Sequence, residues 1–214
     1  TPLGEVSTFA GNVIGSADGI GMSAQFMNPS GIAIDKDDNL YVADQFNHRI
    51  RKVTQAGIVT TLAGSTQGSA DGAGTGAQFF RPVGVVVDAK GNVFVADLFN
   101  HKIRRITPSG VVTTIAGSTY GFADGNTSAA KFAFPGGLAL DKEGNLYVAD
   151  TENHRIRKIT PTGIVTTFAG TGTSGTNDGV ADVAQFSAPR EVDIDAAGNI
   201  YVVDAGSHRI RRMN

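Results

Sequence analysis

Hydrophobic and polar positions alternate in short runs along this chain, and the same order of runs returns four times. Residues 57–110 show one period. Ile58-Val59-Thr60-Thr61-Leu62-Ala63 is short, β-branched and bounded by Gly57 and Gly64, which predicts a strand. A polar, glycine-rich stretch then runs to Pro82. Gly84-Val85-Val86-Val87-Asp88 predicts a buried strand, and Asp88-Ala89-Lys90-Gly91-Asn92 a tight hairpin with Gly91 at its left-handed position. Asn92-Val93-Phe94-Val95-Ala96-Asp97 predicts a further strand. His101-Lys102-Ile103-Arg104-Arg105-Ile106 mixes charged and apolar residues as a half-exposed strand does. Thr107-Pro108-Ser109-Gly110 turns the chain into the next β-branched run. No amphipathic helix separates these strands, which argues against βαβ units.

Two landmarks fix the period. Asp44, Asp97, Asp150 and Asp204 each close a strand, and His48, His101, His154 and His208, the only histidines, follow four residues later. Successive copies lie 53, 53 and 54 residues apart. A fixed period of this length marks a repeat architecture, and four short strands per period mark β-propeller blades. A β-sandwich would supply similar strands without the strict recurrence. The expected fold is therefore all-β: one domain over residues 1–214, with four repeats of about 53 residues, each a four-stranded antiparallel blade. The chain opens on an outermost strand, residues 5–10, and closes on three inner ones, while Thr1-Pro2-Leu3-Gly4 resembles the turn Thr107-Pro108-Ser109-Gly110. This phase predicts that the N-terminal strand completes the last blade and closes the ring. A four-bladed monomer, a fragment of a larger ring and half of an eight-bladed homodimer all fit.

The segment Gly144-Asn145-Leu146-Tyr147-Val148-Ala149-Asp150, followed by Asn153-His154-Arg155-Ile156-Arg157-Lys158, resembles the NHL repeat. Asn47-His48-Arg49-Ile50 and Asn100-His101-Lys102-Ile103 carry the same core, and the fourth copy departs with Ser207-His208. The resemblance covers essentially the whole chain. It implies a β-propeller that binds protein, RNA or a ligand, or in a few cases acts as a lyase; the fold alone does not choose among these.

Charge narrows the choice. Twenty acidic residues against 18 basic ones give a net charge of −2, which disfavours nucleic acid as a partner. Twelve of the 18 basic residues lie on the third strands, as Arg49, Arg51, Lys52 and their counterparts do. These are expected on solvated strand faces with ion pairs between blades. Asp35, Asp88, Asp141 and Asp195 offset them, and no aromatic platform is interleaved for base stacking. The absence of cysteine removes disulfides and thiolate zinc sites, and suits a cytosolic or an extracellular home equally. No run is long and apolar enough for a bilayer. Thr1-Pro2-Leu3-Gly4 is not the start of a signal peptide, and a start without methionine points to a processed, excised or engineered piece. No cofactor or metal is implied.

The Asp/His pairs Asp44 and His48, Asp97 and His101, Asp150 and His154, and Asp204 and His208 are read as turn-locking hydrogen bonds across each turn. Four equivalent histidines in four blades do not converge on one catalytic set. The long loops, with Asp18-Gly19, Asp71-Gly72, Asp124-Gly125 and Asp178-Gly179, should emerge on one face, each with a phenylalanine (Phe26, Phe79, Phe132, Phe186) plugging its blade. Breaks in the repeat mark candidate ligand-binding residues. Arg190, Glu191 and Asp193 put charge near the channel in one blade only, either as a self-neutralising ion pair or as a polar ligand site. Tyr120 and Phe122 give the third loop an aromatic tip, and Phe46 and Phe99 stand where Glu152 and Gly206 stand later. The expected function is a non-enzymatic scaffold or binding module whose loop face takes a protein or a small ligand. The alternatives are a metal-assisted hydrolase or lyase with a site at the channel mouth, and an amplified or engineered array without a ligand.

Overall fold

Short β-branched runs joined by tight turns pair with their sequence neighbours. In the computed structural model, which describes residues 4–214, they form four small antiparallel sheets arranged as propeller blades. In blade 2, Pro82–Val87, Val93–Asp97, Lys102–Ile106 and Val111–Ala116 lie side by side in chain order. Blade 1 repeats this with Pro29–Ile34, Leu40–Asp44, Arg49–Val53 and Ile58–Gly64, and blade 3 with Pro135–Leu140, Leu146–Asp150, Arg155–Ile159 and Val165–Ala169. Blade 4 has three strands, Pro189–Ile194, Ile200–Asp204 and Arg209–Met213. The polar loops hide two further short strands, Gly19–Ile20 and Gly72–Ala73, which pair with the outer edges of blades 1 and 2. Asp88 and its counterparts do not merely offset surface charge. Asp88 Oδ1 accepts from the Lys90 and Asn92 amides at 2.9 and 2.8 Å and so fastens the hairpin.

Both faces of a blade are buried where another blade covers them. Tyr41, Ala43, Ile50 and Ala63 of blade 1 pack against Phe79, Val85, Val93 and Val95 of blade 2. Ala96, Ile103 and Ala116 meet Phe132, Leu138 and Val148 in the next junction. Ala149 and Ile156 meet Phe186, Val192 and Val202 in the third. The innermost strands of successive blades touch along their backbones: a Cβ on Gly31 or Gly84 would run into the Val83 or Gly136 carbonyl of the next blade. The innermost strands of blades 4 and 1 do not pack in this way, and the four blades form an open arc.

The closure expected of the N-terminal strand is not formed within the described residues, and Thr1-Pro2-Leu3 lies outside them. Residues 5–10 carry no strand, and the edge of Arg209–Met213 is unpaired. The segment is tied elsewhere. The Gly11 amide donates to Gly21 O at 3.0 Å, and the Gly21 amide to Gly57 O at 2.8 Å, which anchors it on blade 1 at the opposite end of the arc.

One buried guanidinium organises each blade. Arg104 Nη1 donates to Asp97 Oδ2 at 2.7 Å and to Gln78 O at 3.0 Å; Nη2 donates to Asp71 Oδ1 at 2.7 Å and to Ala70 O at 2.9 Å. Asp97 also accepts from the Phe80 amide at 2.7 Å and from Asn100 Nδ2 at 2.8 Å. The Phe79 ring lies 5.1 Å beneath the guanidinium, so the phenylalanine expected to plug the blade covers the ion pair. Arg51, Arg157 and Arg211 make the same bonds with Asp44 and Asp18, Asp150 and Asp124, and Asp204 and Asp178. These arginines are therefore not solvated, and they pair within a blade rather than between blades. Burial of this pair is tolerable because four acceptors meet the planar fork.

Removing the arginine leaves a carboxylate buried without its counter-charge. Arg104→Ala is expected to cost about 3–5 kcal/mol, read as a shift of the urea unfolding midpoint. Arg105→Ala, one residue along and exposed, is expected to stay within about 0.5 kcal/mol of the parent.

Candidate functional site

The four histidines end their turns in the left-handed region, with φ of 55, 56, 53 and 58° at His48, His101, His154 and His208. That conformation aims the ring away from its own aspartate and toward the next blade. His48 Nδ1 accepts from the Arg81 amide at 3.1 Å, His101 Nδ1 from the Phe134 amide at 3.2 Å, and His154 Nδ1 from the Ala188 amide at 3.1 Å. The expected Asp–His bond across the turn is not what forms. The aspartate is already occupied: Asp44 takes the Met27 amide, Asn47 and Arg51. His48, His101 and His154 are latches between blades. An accepting Nδ1 requires the neutral ring with its proton on Nε2. Burial pushes the His48 pKa down, and the charge of Arg81 adds to the effect; burial also lowers His101, against the pull of Glu152. Among the described residues no three His, Cys, Asp or Glu side chains stand close enough to hold a metal ion.

The loop clamp and the histidine latch together place a row of aromatic rings on the face where the long loops emerge. Phe46 and Phe99 sit on the short turns Gln45–Asn47 and Leu98–Asn100, whose amides bond back to the loop ends at Met27 O and Phe80 O, both at 3.1 Å. Phe80 stacks on Phe99 with centroids 5.0 Å apart, and Phe134 meets Phe99 edge-on at 5.3 Å. His101 packs on Phe134 at 4.8 Å and on Tyr120 at 5.3 Å. The Arg81 guanidinium lies 4.6 Å from the Phe46 ring and 5.2 Å from Phe99, and it forms no ion pair among the described residues. Tyr120 caps the row and donates its hydroxyl to Glu152 Oε2 at 3.1 Å. Phe46 and Tyr120 are exposed.

The candidates read from the sequence divide between two places. Tyr120 joins the row. Phe122 covers the Arg155 guanidinium at 3.9 Å and Arg157 at 4.8 Å, and so shields its own blade's clamp. Arg190, Glu191 and Asp193 lie on the innermost strand of blade 4, and no ion pair links them among the described residues. Their carboxylates turn to their own backbone: Asp193 Oδ1 accepts from the Ile194 amide at 2.8 Å and Glu191 Oε1 from the Val192 amide at 3.3 Å. Burial, and then the neighbouring charge of Asp193, push the Glu191 carboxyl up. Phe80, Arg81 and Phe134 were missed. Their signal is a break in the repeat, since Phe80-Arg81 stands where Met27-Asn28, Ala133-Phe134 and Ser187-Ala188 stand in the other copies.

Comparison with known proteins bears on the fold. The NHL repeat model matches residues 132–159, and the teneurin NHL domain model matches residues 12–71. NHL repeat-containing protein 2 of Homo sapiens is 36% identical over 151 residues, which is 63% of this chain and 21% of that protein. The chain spans about a fifth or less of the length of the curated relatives first matched, 14% and 21% of two of them. Among solved structures, a structural genomics protein of unknown function from Bacteroides thetaiotaomicron superposes with a TM-score of 0.73 at 26% identity, covering 86% of this chain and 46% of that one. An auxiliary nutrient binding protein from Bacteroides ovatus superposes with a TM-score of 0.72 at 22% identity, covering 89% and 49%.

The latches set a pH dependence. A histidine whose folded pKa is lowered stabilises the fold fully above its ordinary value of 6.5, and that stability is lost as pH falls from there through the folded value. Urea midpoints are therefore expected to drop on acidification through this window. The His48→Gln/His101→Gln double variant is expected to show a flatter profile. NMR titration placing both imidazoles above 6.5 would contradict the lowered values.

Proposed function

We propose that this chain, which belongs to the NHL-repeat family of β-propellers, is a binding module whose loop face takes a protein partner. The observation that supports this reading is the aromatic row running from Phe46 through Arg81, Phe80 and Phe99 to Phe134 and Tyr120. Flat rings around one cation offer large contact area at low entropic cost, and the cation selects a carboxylate. Arg81 is held by rings on two sides and has no acid of its own among the described residues, so a partner segment that brings apolar side chains and an acidic residue completes it. The row is confined to blades 1 to 3. Glu152 and Gly206 replace the turn aromatics further on, and this gives the face a direction as well as a position.

Every group in the row is held by the frame beneath it: the turns by loop carbonyls, the loops by the arginine clamps, and Phe134 by His101. A surface fixed before the partner arrives loses little entropy on binding. Rigid support of this kind suits recognition.

Panning a displayed peptide library on the purified protein, with the Phe99→Ser/Arg81→Ser double variant as the counter-target, tests the assignment. Peptides enriched on the parent are expected to carry aromatic or aliphatic residues beside Asp or Glu, and to lose about tenfold or more in affinity on the double variant. Enriched peptides that bind both proteins equally would refute this face as the site.

A further inference from the structure

The two ends of the arc are the two halves of a junction that the molecule already makes three times. At the leading end, blade 1 shows the face that every later blade buries. Ile32 is 61% exposed, whereas Val85 and Leu138, in the same place on blades 2 and 3, are 8% and 6% exposed. At the trailing end, Ile210 is 69% exposed, whereas Ile50, Ile103 and Ile156 are wholly buried; Tyr201 and Val203 are uncovered beside it.

Specific half-bonds accompany these faces. His208 holds the left-handed latch conformation, yet among the described residues its Nδ1 receives no amide; the amide that fills this role at the other junctions corresponds to Asn28, which has φ 53° as Arg81 and Phe134 do. Asp18 accepts from the Thr61 amide and hydroxyl at 3.1 and 3.0 Å, and Asp71 from those of Thr114 at 3.0 and 3.1 Å. Asp178 has its arginine but, among the described residues, no threonine, and its side chain is 88% exposed against 48% for Asp71. The residue matching Thr61 for that blade is Thr8. Among the described residues no outer strand pairs with blade 4, and a groove runs along Arg209–Met213, lined by Asp178, Val180, Ala184, Phe186 and Arg211. Val6, 94% exposed, matches Val59, which is 1% exposed within its own blade. Segment and groove are complementary, but they stand at opposite ends of one open arc.

We propose that a second copy of this chain fills both ends. Residues 5–10 of each copy add to the Arg209–Met213 edge of the other, bringing Val6 and Thr8 into the groove. Ile32 of one covers Ile210 and Val203 of the other, and His208 accepts the partner's amide at position 28. Each contact is head to tail, and two of them close a ring of eight blades, within the range propellers adopt. Strand addition to an open edge supplies backbone hydrogen bonds, and the apolar faces supply burial. One position sets this junction apart. Glu191 stands where Gly31, Gly84 and Gly137 make room for the next innermost strand, so the two copies hold their innermost strands farther apart there than the internal blades do.

Sedimentation of the 214-residue protein at micromolar concentration is expected to give twice the 22.2 kDa of one chain. Ile32→Asp and Ile210→Asp alter side chains that are exposed in the single chain, and each alone is expected to weaken pairing about a hundredfold. Mixing the two variants restores pairs, because one junction of the mixed ring is built from two unaltered faces. A parent that stays at the mass of one chain would overturn the proposal, as would a mass of three or more copies. Variants that fail to rescue each other would also overturn it, since pairing would then use another surface.

Discussion

A guanidinium buried between stacked sheets destabilises a fold unless its donors find acceptors, and in each blade this fold meets the four Nη donors of one arginine while leaving the Nε–H of Arg51, Arg104 and Arg157 without a partner. The arginine reaches a strand-end aspartate, a loop aspartate and two loop carbonyls, and thereby fixes a long polar loop that has little regular structure of its own. Partial burial pushes the Asp71 carboxyl up, but the Thr114 amide and the Arg104 guanidinium outweigh it, so its pKa falls below the ordinary value. At Asp97 burial prevails over the same kind of donors and the pKa rises. One carboxylate is gripped near the surface and the other is held in the interior, with a single cation between them. In blade 4 Arg211 lies 3.2 Å from Asp204, where the other three pairs stand at 2.7 Å, and the same Asp204 Oδ2 accepts from Ser207 Oγ at 2.6 Å in place of the asparagine of the other copies.

The blade strands and their order were legible because period-2 alternation and glycine-marked turns are local signals. The clamp was not, because alternation assumes one solvated face, and a blade in the middle of a propeller has none. Arg51 and Ile50 are neighbours in sequence, yet both are buried, each against a different blade or loop. A subtler signal was present. The positions around the clamp vary between lysine and arginine, as at Arg49 and Lys102 or Lys52 and Arg105, whereas positions 51, 104, 157 and 211 are arginine in all four copies. Only arginine has the planar fork that reaches four acceptors. The histidines misled for a conformational reason: proximity to Asp44 in sequence counts for little once a left-handed residue turns the ring outward.

The candidate site was half legible. Tyr120, Phe46 and Phe99 stood out as breaks in the repeat, but the row they belong to is assembled across blades by Phe80, Arg81 and Phe134, and such inter-blade neighbours cannot be read from one period. The charged trio Arg190, Glu191 and Asp193 also broke the pattern, and its place in the fold connects it with the exposed end of the arc. Departures from the repeat thus sort by location: those on blades 1 to 3 build the aromatic row, and those in blade 4 lie at the exposed end of the arc.

If the arginine clamp is what orders each loop, releasing one arm should loosen one loop and leave the others fixed. Amide hydrogen exchange on Asp71→Ala is the direct measurement. The clamp predicts faster exchange at Gln78 and Thr114 and along residues 64–82, with residues 117–135 as protected as in the parent. Unchanged exchange in residues 64–82, or equal loss of protection in both loops, would contradict it.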